Sequence, residues 1–253
     1  MTHDSQTFIY QFIDPILEKY LSQIESYNKF DDIDTDIQLY NNDALYSLFG
    51  LSDPRFIKLR YGAGFANACA TNIGRFFEKS FKLILCKSFN LTESAVSLSV
   101  NLTVGRASEK RETDGVLRLN DIRDEYAKAR ILNIIKQEKN EHTLYKNKEI
   151  VGFGFEARVR YGKHDAKLLQ ADEHMANKLI DQGLLPIMII FSNSSDSFLL
   201  DRMKTNWILK DGVKAYHFIK EVTEFDFEDY FSQKSERIKQ FKKNVNEKYE
   251  KLH

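Results

Sequence analysis

Proline, cysteine and tryptophan are scarce in this chain of 253 residues, which contains three prolines, two cysteines and one tryptophan. With so few prolines and only 11 glycines, the sequence lacks the composition of a flexible linker between domains. The two cysteines, Cys69 and Cys86, lie in or near an apolar segment and do not have the spacing of metal ligands. We therefore expect buried, reduced thiols in a reducing compartment.

An excess of either charge is also absent, because 37 basic residues balance 37 acidic ones. This balance argues against indiscriminate coating of nucleic acid but is compatible with a localised basic cleft. The N-terminus does not combine a basic region with a long apolar run, so we expect no secretory signal. No stretch approaches the roughly 18–20 apolar residues of a transmembrane helix. We expect a cytoplasmic protein.

The most informative pattern is the alternation of apolar residues with other residues from Val151 to Tyr161. A period of two is typical of a half-buried β-strand. The same alternation would place Glu156, Arg158 and Arg160 side by side on the second face of the strand. The segment therefore predicts a strand that presents one carboxylate and two cations.

Other elements are predicted around this strand. An amphipathic helix is expected over residues 165–182, and the apolar run 184–191 predicts a buried strand after it. Upstream, residues 95–104 alternate like a strand, and 114–119 would be the hairpin partner of that strand. A polar helix is expected over 121–140. The strand, helix and strand from 151 onwards would form a βαβ unit if the sheet is parallel there.

This order of elements predicts an α/β or α+β fold with a mixed central β-sheet flanked by helices. We expect a single domain over residues 1–253. Its core would cover about 64–192, and the flanks 1–55 and 197–253 would be helical.

Three residues could carry hydrolytic chemistry, namely Asp114, Glu156 and Arg158. Cleavage of a phosphodiester requires an activated water and stabilisation of the developing charge, and divalent ions held by carboxylates supply much of both. Mg²⁺ typically binds one or two carboxylates and keeps water as its other ligands. The alternatives are an exposed strand face with an ordinary salt bridge and, for Asp114, an Asp-Gly turn.

Taken together, the chain resembles the PD-(D/E)XK nuclease superfamily, and type II restriction endonucleases in particular. The resemblance covers about residues 64–192. It consists of a helix that carries Glu78, a strand that begins at Asp114, a strand that carries Glu156-Ala157-Arg158, and then an amphipathic helix and an apolar strand. It implies a restriction-endonuclease-like core with helical N- and C-terminal extensions. It also implies that Asp114 and Glu156 bind Mg²⁺.

The chain departs from the family pattern at two positions. Thr113 stands where a proline is usual, and Arg158 stands in place of a lysine that assists catalysis. Because arginine does not readily lose its proton, Arg158 could orient or stabilise charge but could not act as a base. Lys163 would then supply the amine from a shifted position. Glu78 would lie beside the water shell of the metal, although pairing with neighbouring helix cations is an alternative.

In this architecture the helix after the catalytic strand lies beside the substrate phosphates. The resemblance therefore implies DNA contacts for Lys167 and Gln170, and Arg160 on the strand face would extend them. Asn206 and Lys210 belong to a basic segment that could read bases or bind phosphates. The alternative for the helix is a solvated polar face.

The expected function is that of a sequence-specific, Mg²⁺-dependent endonuclease for double-stranded DNA. A homodimer would match a palindromic site and cut both strands. One alternative is a non-catalytic nucleic-acid-binding protein of the same fold. Another is a transferase that uses a nucleotide or S-adenosylmethionine through a loop at Gly62-Ala63-Gly64, although no Gly-Lys-Ser/Thr sequence follows it.

Overall fold

A computed structural model describes residues 3–28, 32–49, 51–104, 107–161 and 166–250. Its residue contacts divide the chain into two compact units. One unit comprises residues up to Asp14 together with Phe77–Asp229, and the other comprises Pro15–Phe76 together with the residues from Tyr230 onwards. The single-domain organisation expected from the sequence, with its core and helical flanks, stays a prediction.

The protein has an α+β fold, as the sequence predicts. The helices are α1 (His3–Glu25), α2 (Ile33–Asn41), α3 (Ala44–Leu48), α4 (Pro54–Phe89), α5 (Glu125–Glu141), α6 (Ala166–Asp181), α7 (Ser197–Met203), α8 (Val213–Thr223), α9 (Phe227–Gln233) and α10 (Ser235–Glu250). The strands are β1 (Ser99–Val104), β2 (Ala107–Glu112), β3 (Gly115–Arg118), β4 (Gly152–Arg158), β5 (Leu184–Ile190) and β6 (Ile208–Asp211). Within the described residues, no helix is both long enough and apolar enough to cross a bilayer.

The central sheet is mixed and has the strand order β3-β4-β5-β6. Strand β3 is antiparallel to β4, whereas β4, β5 and β6 are parallel to one another. Helix α6 connects β4 to β5, so the predicted βαβ unit is confirmed.

The hairpin partner predicted for β1 is wrong. Strand β1 pairs with β2, which lies between β1 and the predicted partner, and the two form a separate antiparallel sheet. Only two residues separate β1 from β2 in the chain, and a connection of that length favours a hairpin between neighbouring strands. The segment after Asp114 becomes β3 and pairs with β4 instead.

Strand β4 is buried on both faces, so the prediction of a half-buried strand is wrong. Phe153, Phe155 and Ala157 fill one face, and the other face includes Gly154, which lies under Leu179 of α6. A Cβ atom at Gly154 would lie 2.5 Å from the nearest methyl carbon of Leu179. The glycine therefore allows α6 to cover the face on which Glu156 lies.

Gly62-Ala63-Gly64 lies in the interior of α4 and does not form a loop. Asp53 precedes the helix, and its carboxylate accepts a hydrogen bond from the backbone N–H of Arg55. Pro54 is the first helical residue, a position at which its missing N–H costs nothing. Because interior N–H groups are used within the helix, the predicted nucleotide-binding loop is wrong.

The second unit has its own apolar core. It centres on Ile24, Ile33 and Phe65, with Tyr249 packing edge-on against Phe65. Arg237 of α10 binds the carboxylates of Glu18 and Glu25 on α1, with nitrogen–oxygen distances of 2.9 and 2.8 Å. These contacts tie α10 to the part of α1 that belongs to the same unit.

Both cysteines are free thiols and only partly buried. Burial raises the pKa of the Cys69 thiol and of the Cys86 thiol, which makes both weaker nucleophiles at neutral pH.

We predict that Gly154→Ala destabilises the protein by about 1–3 kcal/mol, because the added methyl group would overlap Leu179 in a fully buried layer. The free energy of unfolding would be measured in urea. Combining Gly154→Ala with Leu179→Ala should give a smaller loss than the sum of the two single losses. Additive losses would show that the two positions do not compete for the same space.

Candidate active site at the end of strands β3 and β4

The antiparallel pairing of β3 and β4 brings Asp114 to the level of Glu156. Gly115 is paired with Phe155, so the residue before β3 lies next to the residue after Phe155. The backbone N–H of Asp114 donates to the carbonyl of Phe155 at 3.2 Å, and the backbone N–H of Ala157 donates to Oδ2 of Asp114 at 2.8 Å. Two hydrogen bonds therefore hold Asp114 against β4.

The guanidinium of Arg158 joins three carboxylates. Its Nη1 donates to Oδ2 of Asp114 at 3.0 Å, and its Nη2 lies 2.8 Å from Oε2 of Glu156. The same Nη2 donates to Oδ1 of Asp172 at 3.0 Å. The structure therefore brings together Asp114, Glu156 and Arg158, the three residues for which the sequence predicts hydrolytic chemistry.

Asp172 of α6 was not predicted to belong to the site. It is fully buried, and its Oδ1 also accepts a hydrogen bond from Nη2 of Arg111 at 2.5 Å. Its Oδ2 accepts from the hydroxyl of Tyr161, and its backbone carbonyl accepts from Nε1 of Trp207 at 3.0 Å. Each polar group of this residue is thus held from a different direction.

The sequence does contain a signal for Asp172. It lies three residues after Leu169 and three before Met175, on the stripe of α6 that faces the core. A carboxylate on the apolar stripe of a helix requires a buried partner. That partner is supplied by Arg158 and Arg111, which no local pattern connects to α6.

Among the described residues, the cluster contains one more negative charge than positive charge if every group is ionised. Asp114, Glu156 and Asp172 face Arg111 and Arg158. Burial opposes the charge on Arg158, but the neighbouring carboxylates outweigh it and raise the pKa of Arg158 above its usual value. Arg158 is therefore protonated at any relevant pH.

The excess of negative charge affects the protonation of Glu156. Its side chain is only 1% exposed, and its Oε1 has no hydrogen-bond partner within the described residues. Burial and, after it, the negative charge of Asp114 raise the pKa of Glu156 well above its ordinary value. The carboxyl group therefore either keeps a proton or requires an additional cation.

The tyrosine in the cluster behaves as a donor. Burial raises the pKa of Tyr161, and the charge of Asp172 raises it further, so its hydroxyl stays protonated and donates to Asp172. Asp172 is itself fully buried, as are Trp207 and Tyr161 beside it, so its carboxylate has no contact with bulk water.

A Mg²⁺ ion fits the donor set of this site. Within the described residues, no three His, Cys, Asp or Glu side chains converge in a way that could hold a metal. Mg²⁺, however, needs only one or two carboxylates besides water and substrate oxygens. Asp114 is partly exposed, and Oε1 of Glu156 lacks a partner, so these two carboxylates are the residues that could hold the ion.

Arg160, Gln170 and Glu78 are predicted site or DNA-binding residues that belong to the described part of the chain. Arg160 is exposed just beyond the end of β4, and Gln170 is exposed on α6. Glu78 is partly buried on α4, one turn before Lys82, whose Nζ lies 2.6 Å from Glu112. Lys163 lies outside the described residues. Lys167 belongs to α6, but its side chain is also outside the described part of the chain.

The structure places Lys210 on the opposite face of the sheet. Lys210 is paired with Ile189, which is paired with Ala157, and side chains at paired positions share a face. Its Nζ lies 2.7 Å from Oε1 of Glu138. Asn206 accepts a hydrogen bond from the hydroxyl of Tyr145 through its backbone carbonyl. Neither Lys210 nor Asn206 is brought together with Glu156.

We predict that Glu156→Gln changes the pH dependence of stability in EDTA. In the wild type, folding retains a proton on Glu156 above the ordinary pKa of 4.5, so the free energy of unfolding falls as the pH rises. The fall amounts to at most about 1.4 kcal/mol per pH unit. The wild type should therefore lose stability relative to Glu156→Gln in urea unfolding as the pH rises above the ordinary pKa of 4.5.

The control for this comparison is Glu236→Gln, which changes a carboxylate that is 85% exposed and should follow the wild type at every pH. Parallel pH profiles of the wild type and Glu156→Gln would show that Glu156 is ionised in the folded protein.

The chain matches no family model, no curated protein and no solved structure in the comparisons with known proteins. The resemblance to the PD-(D/E)XK nucleases therefore remains an expectation from the sequence.

Proposed function

We propose that this protein is a Mg²⁺-dependent endonuclease that hydrolyses phosphodiester bonds in double-stranded DNA. One observation carries the proposal. Asp114, directly before β3, and Glu156 on β4 contact the same guanidinium, and within the described part of the chain Oε1 of Glu156 is buried without a hydrogen-bond partner. Two carboxylates at one end of a sheet, with an excess negative charge, are suited to a divalent ion.

Each residue of the site has a role that follows from its contacts. Asp114 and Glu156 would hold Mg²⁺, and the bound ion supplies an activated water and stabilises negative charge on the phosphate. Arg158 stays protonated, so it stabilises charge and orients groups but accepts no proton. Because Arg158 cannot be a base, Lys163 is proposed as the amine that assists the attacking water.

Surface residues support a polymeric anionic substrate. Arg160 is exposed two residues beyond Arg158, and Gln170 is exposed on α6. A cation and an amide at such positions can bind phosphate oxygens of a nucleic acid backbone. We further propose a homodimer, since two copies related by a two-fold axis can cut both strands of a palindromic site. Such an enzyme would act in the cytoplasm.

We predict that the wild type converts supercoiled plasmid to linear DNA in the presence of Mg²⁺ and that EDTA abolishes cleavage. Glu156→Gln and Asp114→Asn should each lower the cleavage rate at least about a hundredfold, because each removes a ligand of an ion that contributes several kcal/mol to transition-state stabilisation. The rate would be measured by gel analysis of the plasmid forms.

Glu236→Gln is the matched control, because it makes the same chemical change at an exposed position on α10. It should cleave at the wild-type rate. Cleavage that survives Glu156→Gln or Asp114→Asn unchanged would refute the assignment of the site.

One observation favours a second candidate function, that of a non-catalytic nucleic-acid-binding protein. Arg158 already provides a cationic partner for Asp114, Glu156 and Asp172. A buried network of this kind can stabilise a fold without metal, and an arginine in place of the family lysine is what a decayed site would contain. Exposed Arg160 would then serve binding alone.

Substitution of Arg158 separates the two functions. Under the proposed nuclease function, Arg158→Lys should retain Mg²⁺-dependent cleavage, because it keeps the charge, whereas Arg158→Met should lose it at least about a hundredfold. Both variants should be less stable than the wild type, since neither side chain can bridge three carboxylates. Cleavage and thermal unfolding would be measured on the same preparations.

The non-catalytic function makes the opposite prediction for cleavage. The wild type, Arg158→Lys and Arg158→Met would all fail to cut, and the wild type would still bind duplex DNA in a gel-shift measurement.

A further inference from the structure

Arg111 approaches the cluster from outside the central sheet. It lies on β2, where it is paired with Val100 of β1. Its Nη2 lies 2.5 Å from Oδ1 of Asp172 and 3.8 Å from Oε2 of Glu156, and its side chain is 20% exposed. The separate β1–β2 hairpin thus delivers a second guanidinium to the same end of β4 as Arg158.

Both guanidinium groups bind the same oxygen atom. Oδ1 of Asp172 accepts from Nη2 of Arg111 and from Nη2 of Arg158. Asp172 is itself held by Tyr161 and Trp207, so the atom that organises the two arginines cannot move freely. Both arginine side chains remain partly exposed, whereas Asp172 is fully buried.

We propose that Arg111 binds the phosphate group of the substrate, and that Asp172 is the positioning residue that holds the guanidinium of Arg111 beside that of Arg158, whose own Nη donors are taken by Asp114, Glu156, Asp172 and the carbonyl of Ala157. This inference rests on the proposed nuclease function and deepens it. Guanidinium groups present several N–H donors in a fixed plane and match the oxygens of a phosphodiester.

The charges of the cluster are consistent with this ligand. Among the described residues, three carboxylates and two guanidinium groups leave one negative charge when all are ionised, and that charge would repel a phosphate. A bound Mg²⁺ ion changes the total to one positive charge, and one phosphodiester group then neutralises it. Binding at this site should therefore be stronger in the presence of a divalent ion.

The position of Asp172 between the two arginines explains the presence of a third carboxylate, although it adds negative charge to the cluster. Two adjacent guanidinium groups repel each other, and a shared carboxylate between them offsets the repulsion and restricts their rotation. Ordering the arginines before the substrate arrives holds the bound phosphate in the orientation that cleavage requires.

The first test uses Arg111→Gln and a labelled DNA duplex in Ca²⁺, an ion that binds oxygen ligands with looser geometry than Mg²⁺. Loss of one phosphate contact should weaken binding about tenfold or more and reduce the slope of log affinity against log salt by about one. Affinity would be measured by fluorescence anisotropy at several salt concentrations.

Arg55→Gln is the matched control. Arg55 is a highly exposed arginine that pairs with a single carboxylate, that of Asp53, at 2.7 Å. It should leave both affinity and salt slope unchanged. An unchanged affinity and slope in Arg111→Gln would overturn the phosphate-binding site, whether or not the wild type cleaves DNA.

The second test uses Asp172→Asn, which keeps the shape of the side chain but removes its charge. Since the cluster then becomes less negative, DNA binding should be at least as strong as in the wild type, while the single-turnover cleavage rate in Mg²⁺ should fall at least about tenfold. Thermal unfolding would verify that the variant is folded at the assay temperature.

The outcomes distinguish this inference from the proposed function. Slow cleavage with retained affinity supports Asp172 as a positioning residue. Equal losses of affinity, cleavage and stability would show that Asp172 is only structural and would overturn its proposed role. If the wild type does not cleave DNA in any divalent ion, the nuclease function fails, and the salt slope of Arg111→Gln still decides whether Arg111 binds phosphate.

Discussion

The arrangement of the site depends on the contact of one guanidinium with three carboxylates. Arg158 of β4 binds Asp114 before β3, Glu156 on its own strand and Asp172 of α6. A buried charge without its partner typically costs 3–5 kcal/mol, so loss of this side chain would leave uncompensated charges on several elements at once. The same contact connects the sheet to α6 and brings the candidate metal ligands together.

The rest of the fold makes this contact geometrically feasible. Antiparallel pairing sets Asp114 beside Glu156, and parallel pairing of β4 with β5 places α6 over the face of Glu156. Gly154 lets Leu179 approach the strand, which brings α6 close to the sheet. This packing of α6 buries Asp172 and brings its carboxylate within hydrogen-bonding distance of Arg111 and Arg158.

The charge imbalance links structure and chemistry. A buried site with equal numbers of acids and bases would be satisfied by its own ion pairs, and it would have little affinity for a metal. Here, among the residues that the structure describes, the carboxylates outnumber the cations by one, and Oε1 of Glu156 lacks a hydrogen-bond partner. Because arginine cannot lose its proton, the site must resolve the imbalance with a proton or with an external cation.

Much of the local structure could be predicted from the sequence, because helix and strand periodicity are local properties. The α+β class, helix α6 and the βαβ unit follow from such patterns, as does the proximity of Glu156 and Arg158 on one strand. The burial of β4 on both faces could not be predicted in this way. Gly152 and Gly154 stand where an exposed strand face would carry polar residues, and a glycine shows only that a neighbour comes close, not which neighbour it is.

The residues of the site likewise divide into those that the sequence indicates and those that only the tertiary structure brings together. The sequence by itself determined that Asp114, Glu156 and Arg158 are suitable groups for hydrolytic chemistry, since their residue types and strand positions can be read directly. Only the tertiary structure decided that β1 pairs with β2, which brings Arg111 to the site, and that Asp172 joins Arg111 to Arg158. These contacts connect residues 14 to 61 positions apart in the chain, and long-range packing of this kind leaves no periodic pattern in the sequence.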